Sequence, residues 1–370
     1  MGDAVNRTSI EWTDFTTNLI RYRDPEGRSV HGCIKVSAGC ANCYASAWSA
    51  RGLTGERDGA FTAKRQATLT PYFDDAEAQR ILRTRVTGKR VFVGDMTDVF
   101  GEWVPDALLD RMFAVFAMRP DLTFQLLTKR PERMREYVAS ERRDTQGAIA
   151  VTLREVVTPE QVTAAMQEHR THVLRDVVQR RWPLPNVWLG VSVEDQAAAD
   201  DRIPDLLDTP AAVRFLSCEP LLEELSIFNS PIDADAGAPV GLIRRDVQLK
   251  PHDVNGPAEY DALWEPGIDW VIVGGESGPG ARPCDVGWIR DIVGQCRAAE
   301  VPVFVKQLGR RPYDDLMAPG WAAEARGYPA FAAPWVPEFG ANWAPRLTSR
   351  KGSNPDGWPE DLRMRQYPDV

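Results

Sequence analysis

The sequence lacks the features of several large protein classes. It has no run of the roughly 18 apolar residues that a membrane-spanning helix requires, and its first residues lack the apolar core of a signal peptide. We therefore expect a cytoplasmic protein that does not enter a membrane. An excess of basic residues is also absent, because 53 Asp and Glu outnumber 44 Lys and Arg and leave a net charge of −9. This balance disfavours a large, diffuse surface for nucleic acid, whereas a local basic groove is compatible with it.

Histidine and cysteine are scarce, which limits the metal sites that the chain can form. Four His leave little room for a His-rich site, and there are six Cys. Three of these, Cys33, Cys40 and Cys43, fall within one short segment, whereas the others are scattered through the second half of the chain. In a reducing compartment, such a grouping is typical of metal or iron–sulfur ligation rather than of disulfides.

The rest of the composition, 43% hydrophobic and 26% charged, is ordinary for a globular protein. Short apolar, β-branched runs predict strands that are buried on both faces of a parallel sheet. They cover 91–96, 123–129, 187–194, 213–219, 269–276 and 301–307, with a plausible first strand at 9–13. Helical apolar spacing lies between them, for example at 105–118 and 285–299. This alternation predicts an α/β protein, either a partial or full barrel or an open doubly wound sheet.

The chain divides into a barrel-like region and a C-terminal extension. We expect a barrel over residues 1–310, interrupted by a charged helical insertion at 141–183 and an irregular loop at 222–267. Residues 311–370 show no periodicity and predict an irregular C-terminal segment. Its several Trp residues indicate that this segment packs on the rest of the protein, since free tails rarely carry so many aromatic residues.

Polar side chains follow every clear strand. In a parallel barrel the carboxyl ends of the strands form one rim, where chemistry is located. The sequence therefore predicts a shared polar site, although strands that simply stop at polar loops are the plainer alternative. The strand-end residues are Asp95, Asp98, Thr128, Lys129, Ser192, Glu194, Glu219, Glu276, Lys306 and Gln307.

The strongest local signal is the spacing Cys-x6-Cys-x2-Cys at Cys33, Cys40 and Cys43. Gly32 and Gly39 free the backbone to wrap three thiolates around one centre. Three thiolates on a four-iron cluster leave one iron open to a substrate or cosubstrate. The alternatives are a structural zinc, with His31 or a distant Cys as fourth ligand, and three unrelated buried thiols.

Several motifs in order give the chain a family resemblance. It resembles the uncharacterised three-Cys-motif family of phages and bacteria over about residues 8–310, and through it the radical S-adenosylmethionine (SAM) superfamily. The resemblance implies a partial (β/α)6-like TIM barrel, with a cluster at the mouth of the first strand, in a bacterial host or a phage-infected cell. The motifs are Ser-Ile-Glu-Trp-Thr-Asp, Gly-Cys-x6-Cys-x2-Cys-Tyr-Ala, Leu-Leu-Thr-Lys-Arg-Pro-Glu-Arg, Trp-Leu-Gly-Val-Ser-Val-Glu, Phe-Leu-Ser-Cys-Glu-Pro-Leu and Val-Gly-Gly-Glu-Ser-Gly.

The resemblance also implies a mechanism. Cys33, Cys40 and Cys43 each bind one iron of a 4Fe-4S cluster, and SAM chelates the fourth iron. One electron from an external donor cleaves SAM to a 5′-deoxyadenosyl radical, which abstracts hydrogen from the substrate. The first gap of six residues departs from the superfamily's usual Cys-x3-Cys-x2-Cys.

Positions that match the superfamily suggest roles for the strand-end residues. Tyr44 would pack against the cluster or adenine, and Asp95 would hold the SAM amino group. Ser192 or Glu194 would hydrogen-bond the ribose hydroxyls, and Lys129 and Arg130 would pair with the SAM carboxylate or a substrate phosphate. A surface ion pair is the plainer alternative for each charged residue.

On the substrate side, Glu219 and Glu276 are candidates to bind substrate or accept its proton, with Lys306 opposing their charge. A structural ion-pair network would show the same residue types. The leading hypothesis is a radical SAM enzyme that modifies or repairs a nucleic acid or nucleotide, in which basic residues near Trp343 contact the backbone. The second is a zinc-stapled, non-enzymatic α/β protein that binds nucleic acid or a protein partner. A SAM-dependent methyltransferase is a distant third.

Overall fold

A computed structural model of the protein describes residues 6–52, 61–139, 182–227, 267–313, 349 and 351–368. The strands are β1 (Asn6–Arg7), β2 (Phe15–Thr17), β3 (Ile20–Arg23), β4 (Ser29–Val30), β5 (Thr70–Phe73), β6 (Lys89–Val93), β7 (Leu122–Thr128), β8 (Val187–Ser192), β9 (Val213–Cys218), β10 (Trp270–Gly274), β11 (Cys284–Asp285), β12 (Val303–Gln307) and β13 (Pro312–Tyr313). The α-helices are α1 (Tyr44–Arg51), α2 (Ala63–Gln66), α3 (Asp75–Arg83), α4 (Asp106–Ala117), α5 (Pro131–Val138), α6 (Gln196–Leu207) and α7 (Val286–Ala298).

An eight-stranded, mostly parallel sheet forms the centre of the fold and curls into a half-barrel. Its strand order is β1-β2-β6-β7-β8-β9-β10-β12, and only the pair β1-β2 is antiparallel. The predicted α/β class is confirmed, as are the six apolar runs predicted as strands, to within a few residues. A small antiparallel sheet, β4-β3-β5, and the pair β11-β13 complete the strands of the described residues.

The predicted first strand at 9–13 is wrong. The first parallel strand is β2, which begins at Phe15, and residues 9–13 are irregular. Trp12 is 2% exposed on the concave side of the sheet, where its ring centroid lies 4.8 Å from that of Phe92. The apolar character of residues 9–13 therefore reflects a large ring that fills the interior, because burying an indole stabilises the fold without any strand pairing.

The two faces of the sheet bury different side chains. Helices cover the outer face, and the predicted apolar stripes of α4 and α7 pack there. The concave face is aromatic, and Gly190 of β8 allows the ring of Phe215 to fit, since a Cβ at Gly190 would lie 2.6 Å from that ring. The residues of the concave cluster are Trp12, Phe92, Trp188, Val213, Phe215, Trp270, Ile272 and Phe304.

The C-terminal residues pack on the edge strand β12. Val305 N donates to Met364 O at 2.8 Å, and Gln366 N donates to Val303 O at 3.0 Å. Trp358 is 2% exposed in the outer core, which confirms for this residue that the C-terminal segment packs on the protein.

Some of the sequence predictions fall on residues outside the description. These are 141–181 of the expected helical insertion, 228–266 of the expected loop, and Trp321, Trp335 and Trp343 of the C-terminal segment. Among the residues that are described, no helix is both long enough and apolar enough to cross a lipid bilayer.

Candidate functional site

The cysteine-rich segment, residues 31–44, lies at the carboxyl edge of the sheet; we call it the cysteine loop. Cys33, Cys40 and Cys43 are free thiols and are partly buried. Cys33 and Cys43 pack against one small apolar cluster that contains Met96 and Phe61. In the described ranges, no three His, Cys, Asp or Glu side chains are arranged to hold a metal ion. The donor set itself fits a thiophilic metal or an iron–sulfur centre, because three free thiols share one short loop.

Residues from four strand ends hold the cysteine loop in place. Thr97, Arg130, Glu194 and Glu276 follow β6, β7, β8 and β10, respectively. The strand-end residues that were predicted to form a polar site therefore hold the cysteine loop in position. The contacts are Thr97 Oγ1 to Gly32 O (2.6 Å), Arg130 Nη2 to Ile34 O (3.0 Å), Arg282 Nη1 to Ala38 O (3.0 Å), Gly39 N to Glu194 Oε1 (3.3 Å), Asn42 Nδ2 to Glu276 Oε2 (2.9 Å) and Tyr44 OH to Asp95 O (2.6 Å).

Arg130 joins the loop to the buried carboxylate of Asp98. Its Nη1 donates to Asp98 Oδ2 at 2.9 Å, while Thr128 Oγ1 donates to Asp98 Oδ1 at 2.7 Å. The Arg130 guanidinium also lies 4.7 Å from the ring centre of Trp103. Because both charged groups are buried and satisfied by several partners, the pair fixes the position of the loop near Cys33.

Lys129 and Glu194, which were predicted to contact SAM, pair with each other. Lys129 Nζ lies 2.7 Å from Glu194 Oε2, and Arg202 Nη1 lies 3.0 Å from the same oxygen. Burial by itself would raise the pKa of Glu194, but Lys129, Ser37 and Arg202 together lower that pKa to about 2. The Glu194 carboxylate is therefore ionised at neutral pH, with both oxygens engaged by groups of the protein.

Glu276, a candidate to bind substrate, is held by Arg282 and Asn42. Arg282 donates through Nη2 to Oε1 at 2.7 Å and through Nε to Oε2 at 3.0 Å. Burial by itself would raise the pKa of Glu276. The hydrogen bonds from Arg282 and Asn42 have the larger combined effect, so the pKa of Glu276 is lowered. Sequence reasoning missed Arg282 and Asn42 as anchors, and the available signal was the position of Asn42 between two of the cysteines. Arg130 was predicted to contact SAM or a phosphate, and it instead binds Asp98 and the loop carbonyl of Ile34.

Glu219, which follows β9, and Lys306 of β12 meet across the end of β10, beside the strand end that carries Glu276. Lys306 Nζ lies 2.8 Å from Glu219 Oε2, and Gln307 Nε2 donates to Glu219 Oε1 at 3.0 Å. The side chains of Glu219 and Lys306 are 12% and 19% exposed. The two predicted residues are thus brought together as a partly accessible pair.

Asp95 lies beside Tyr44, and Ser192 lies at the end of β8. Asn18 Nδ2 donates to Asp95 Oδ1 at 2.6 Å, and burial raises the pKa of Asp95 to about 6 despite this hydrogen bond. Ser192 is 5% exposed and pairs in register with Ser217 of β9. Asp95 therefore combines proximity to the cysteine loop with a carboxyl group that titrates close to neutral pH.

His31 and Cys33 have different surroundings. Burial and the charges of Arg21 and Arg65 lower the pKa of His31 to about 4. Burial and Asp98 raise the pKa of Cys33 to about 12, against the opposing effect of Arg130. Among the described residues, His31 forms no metal-binding group with the cysteines.

Replacing Gly39 with alanine is expected to lower the free energy of unfolding by about 1–3 kcal/mol. A Cβ at this position would lie 2.9 Å from Glu194 Cδ and 3.0 Å from Lys129 Nζ. The Glu194 side chain is fully buried and cannot move aside, so the loop must shift. Urea denaturation followed by circular dichroism measures the change.

The matched control for this substitution is Gly294→Ala in α7, where nothing lies within 4 Å of the added Cβ. This control is expected to stabilise the protein by roughly 0.5–1 kcal/mol, because alanine favours a helix over glycine. Equal, small effects of the two substitutions would contradict close packing of the loop on the rim.

Comparison with known proteins gives a family but no activity. A family model described as "Protein of unknown function (DUF5131)" matches residues 7–352. No curated protein and no solved structure matches the chain.

Proposed function

The chain belongs to the DUF5131 family, and from the geometry of its rim we propose that it is an iron–sulfur enzyme of the radical SAM type. In this proposal the half-barrel is a partial (β/α)6-like TIM barrel, the reductant is an external electron donor, and the substrate is a nucleic acid or nucleotide that the enzyme modifies or repairs. The family resemblance of the motifs supports the choice of cofactor and substrate class.

The observation that carries the proposal is the set of contacts that hold the cysteine loop in position. Three free thiols lie on one loop, and charged or polar groups from four parallel strand ends fix that loop at the edge where barrel enzymes carry their chemistry. A loop that served only to connect two strands would not require two ion pairs with buried carboxylates, Arg130–Asp98 and Arg282–Glu276, to hold it. Precise placement of ligands is what a reactive centre demands.

Cys33, Cys40 and Cys43 would hold a 4Fe-4S cluster. When bound, such a cluster would supply one electron for the reductive cleavage of SAM, which permits hydrogen abstraction from a substrate. Asp95, next to the loop, would accept hydrogen bonds from the amino group of SAM, and Tyr44 would pack beside the adenine. Binding a cation at Asp95 favours its ionised form, which offsets the effect of burial on its pKa.

Glu219 and Lys306 would act on the substrate. Lys306 and Gln307 fix the Glu219 carboxylate at the rim, where it is partly accessible and presents an acceptor to a polar substrate group. Glu276, in contrast, is occupied by Arg282 and Asn42, so we propose that it positions the loop instead of contacting substrate.

Anaerobic purification followed by metal analysis tests the proposal. We expect a brown protein that absorbs near ~400 nm and holds about four irons per chain. The variant with Cys33, Cys40 and Cys43 all replaced by alanine should lose the iron and the absorption, and the reduced wild-type protein should cleave SAM.

Cys296→Ala is the matched control, because Cys296 is a free thiol buried on α7 away from the loop. It should leave the iron content unchanged. Stoichiometric zinc without iron, even after anaerobic reconstitution, would contradict the radical mechanism and favour a zinc-stapled binding protein.

A further inference from the structure

An exposed aromatic pair lies on α1, at the end of the cysteine loop. The ring centroids of Tyr44 and Trp48 lie 5.5 Å apart, at an interplanar angle of 71°, and the two residues are 44% and 46% exposed. The hydroxyl of Tyr44 donates to Asp95 O at 2.6 Å, which fixes this ring at the rim. Trp48 follows one helical turn later, about 6 Å further along the helix axis, which leaves its ring outside the rim.

The large exposed hydrophobic side chains of the described residues are concentrated in one segment. They are Val36, Tyr44 and Trp48, all between positions 36 and 48. Single exposed apolar residues scattered over a surface need no explanation, whereas a concentration in one place marks a binding surface. The segment also contains Cys40 and Cys43, so this surface borders the candidate cluster site.

The same part of the surface carries positive charge. Residues 27–52 contain no Asp or Glu, although acidic residues outnumber basic ones in the whole chain. Lys35 and Arg51 are exposed, and neither forms an ion pair with another residue that the structure describes. Glu194 and Glu276, which contact the cysteine loop from the rim, are each paired with an arginine. The charge of these two carboxylates is therefore offset, whereas the charge of Lys35 and Arg51 is available to a polyanion.

The two cations lie on the elements that carry the aromatic pair. Arg51 follows Trp48 by three positions on α1, so the two side chains are neighbours on the helix surface. Lys35 Nζ donates to Ala41 O at 3.0 Å, which holds the Lys35 side chain on the turn that leads into α1. Exposed aromatic rings beside cations bind single strands of nucleic acid, because a ring stacks a base while the cations pair with the phosphates.

We propose that α1 and the cysteine loop bind single-stranded nucleic acid, with one base stacked on Trp48 and the adjoining phosphates paired with Lys35 and Arg51. Stacking accepts any sequence, because every base has a π-face. The bases of a duplex, in contrast, are stacked on one another and are not open to the ring. The proposal rests on the proposed function for the substrate class, and it adds which strand form binds and over which surface.

Fluorescence anisotropy of labelled oligonucleotides tests this surface, with the anaerobically purified protein at low salt and without SAM or reductant. The probes are a single-stranded DNA, the RNA of the same sequence, the DNA duplex and an abasic DNA strand of the same length. We expect the single strand to bind more tightly than the duplex and the abasic strand. Whichever of the DNA and RNA single strands binds more tightly identifies the source of the strand.

Trp48→Ala is expected to weaken single-strand binding about fivefold or more, which corresponds to one stacked base, and to change binding of the abasic strand by less than about twofold. Trp48→Phe should retain most of the affinity. Trp48→Leu should lose nearly as much as the alanine variant, because leucine is apolar but has no π-face. Arg51→Gln should reduce the slope of log affinity against log salt by about one, because one phosphate contact is lost.

Lys89→Gln is the matched control for charge, because Lys89 is also exposed and begins β6, at the edge of the sheet opposite to the cysteine loop. It should leave the salt slope unchanged. Trp48 is exposed, so its variants should fold, and their thermal midpoints verify this. Equal binding by wild type and Trp48→Ala, duplex binding as tight as single-strand binding, or no binding at low salt would overturn the proposal. Wild-type affinity of Trp48→Leu would also overturn it and point to an apolar contact with a protein.

Iron content and SAM cleavage of the same preparation test the proposed function separately. Binding that depends on Trp48 in a protein without iron would support the single-strand surface and contradict the radical mechanism. Iron and SAM cleavage without binding that depends on Trp48 would contradict only the single-strand surface.

Discussion

Replacing Glu194 with glutamine is expected to lower the free energy of unfolding by about 3–5 kcal/mol, because it breaks a buried ion pair from one side. Glu194 is fully buried, and its loss leaves the charges of Lys129 and Arg202 without a counter-charge. The same substitution weakens the acceptor of the Gly39 N–H and so loosens the cysteine loop. Urea denaturation at pH 7 measures the stability change.

Glu102→Gln is the matched control for Glu194→Gln. Glu102 also pairs with an arginine, Arg130, but its side chain is 68% exposed. Solvent screens such a pair, so the change should stay within about 0.5 kcal/mol. Comparable effects of the two substitutions would contradict the burial of Glu194.

The difference between wild type and Glu194→Gln should also depend on pH. The pKa of Glu194 is about 2 in the folded protein and about 4.3 in an unfolded chain. A carboxyl group with a lowered pKa binds protons more readily when unfolded, so its contribution is present above the unfolded pKa and is lost as the pH falls towards the folded one. The stability difference should therefore be constant from pH 7 to about 5 and shrink steadily below it.

The elements that sequence predicts well are those with strong periodicity. Runs such as 187–194 and 269–276 became β8 and β10 because a strand that is buried on both faces must be apolar throughout. The stripe of α4 was equally clear, since its apolar residues recur at helical spacing. Trp12 shows the limit of this reasoning, because in the sequence a large ring that fills the interior looks like a strand residue.

The arrangement of the rim is less predictable. Parallel pairing of the strands explains why their polar ends lie close together. Which carboxylate pairs with which cation, however, depends on loops that are far apart in sequence. Asn42 and Glu276 are 234 positions apart, and Lys129 and Glu194 are 65 apart. The sequence therefore offered Lys129, Glu194 and Glu276 as equal candidates for ligand contact. The structure separates Glu194 and Glu276, which hold the loop, from Asp95 at the loop and from the partly accessible pair Glu219–Lys306.

Replacing Trp270 with alanine is expected to lower the free energy of unfolding by about 3–5 kcal/mol, because a large core ring is removed and leaves a cavity. Trp270 is fully buried at the centre of the concave face, and its Nε1 donates to Gln366 O at 2.9 Å. Loss of the ring thus also removes one of the contacts that hold the C-terminal residues on the half-barrel. The neighbouring rings are those of Trp12, Trp188, Phe215, Phe304 and Tyr367.

Two further variants separate the ring of Trp270 from its hydrogen bond. Trp270→Phe retains an aromatic ring but loses the N–H group, which leaves Gln366 O without that donor. The loss of this hydrogen bond is expected to lower the free energy of unfolding by about 1–3 kcal/mol. Trp48→Ala on α1, where the side chain is 46% exposed, should change stability by less than about 0.5 kcal/mol. If Trp270→Ala cost no more than Trp48→Ala in urea denaturation, the concave face would not be a packed core. Because the rim residues Ser192 and Lys306 belong to strands that line this face, a loose core would also leave the candidate site without a rigid support.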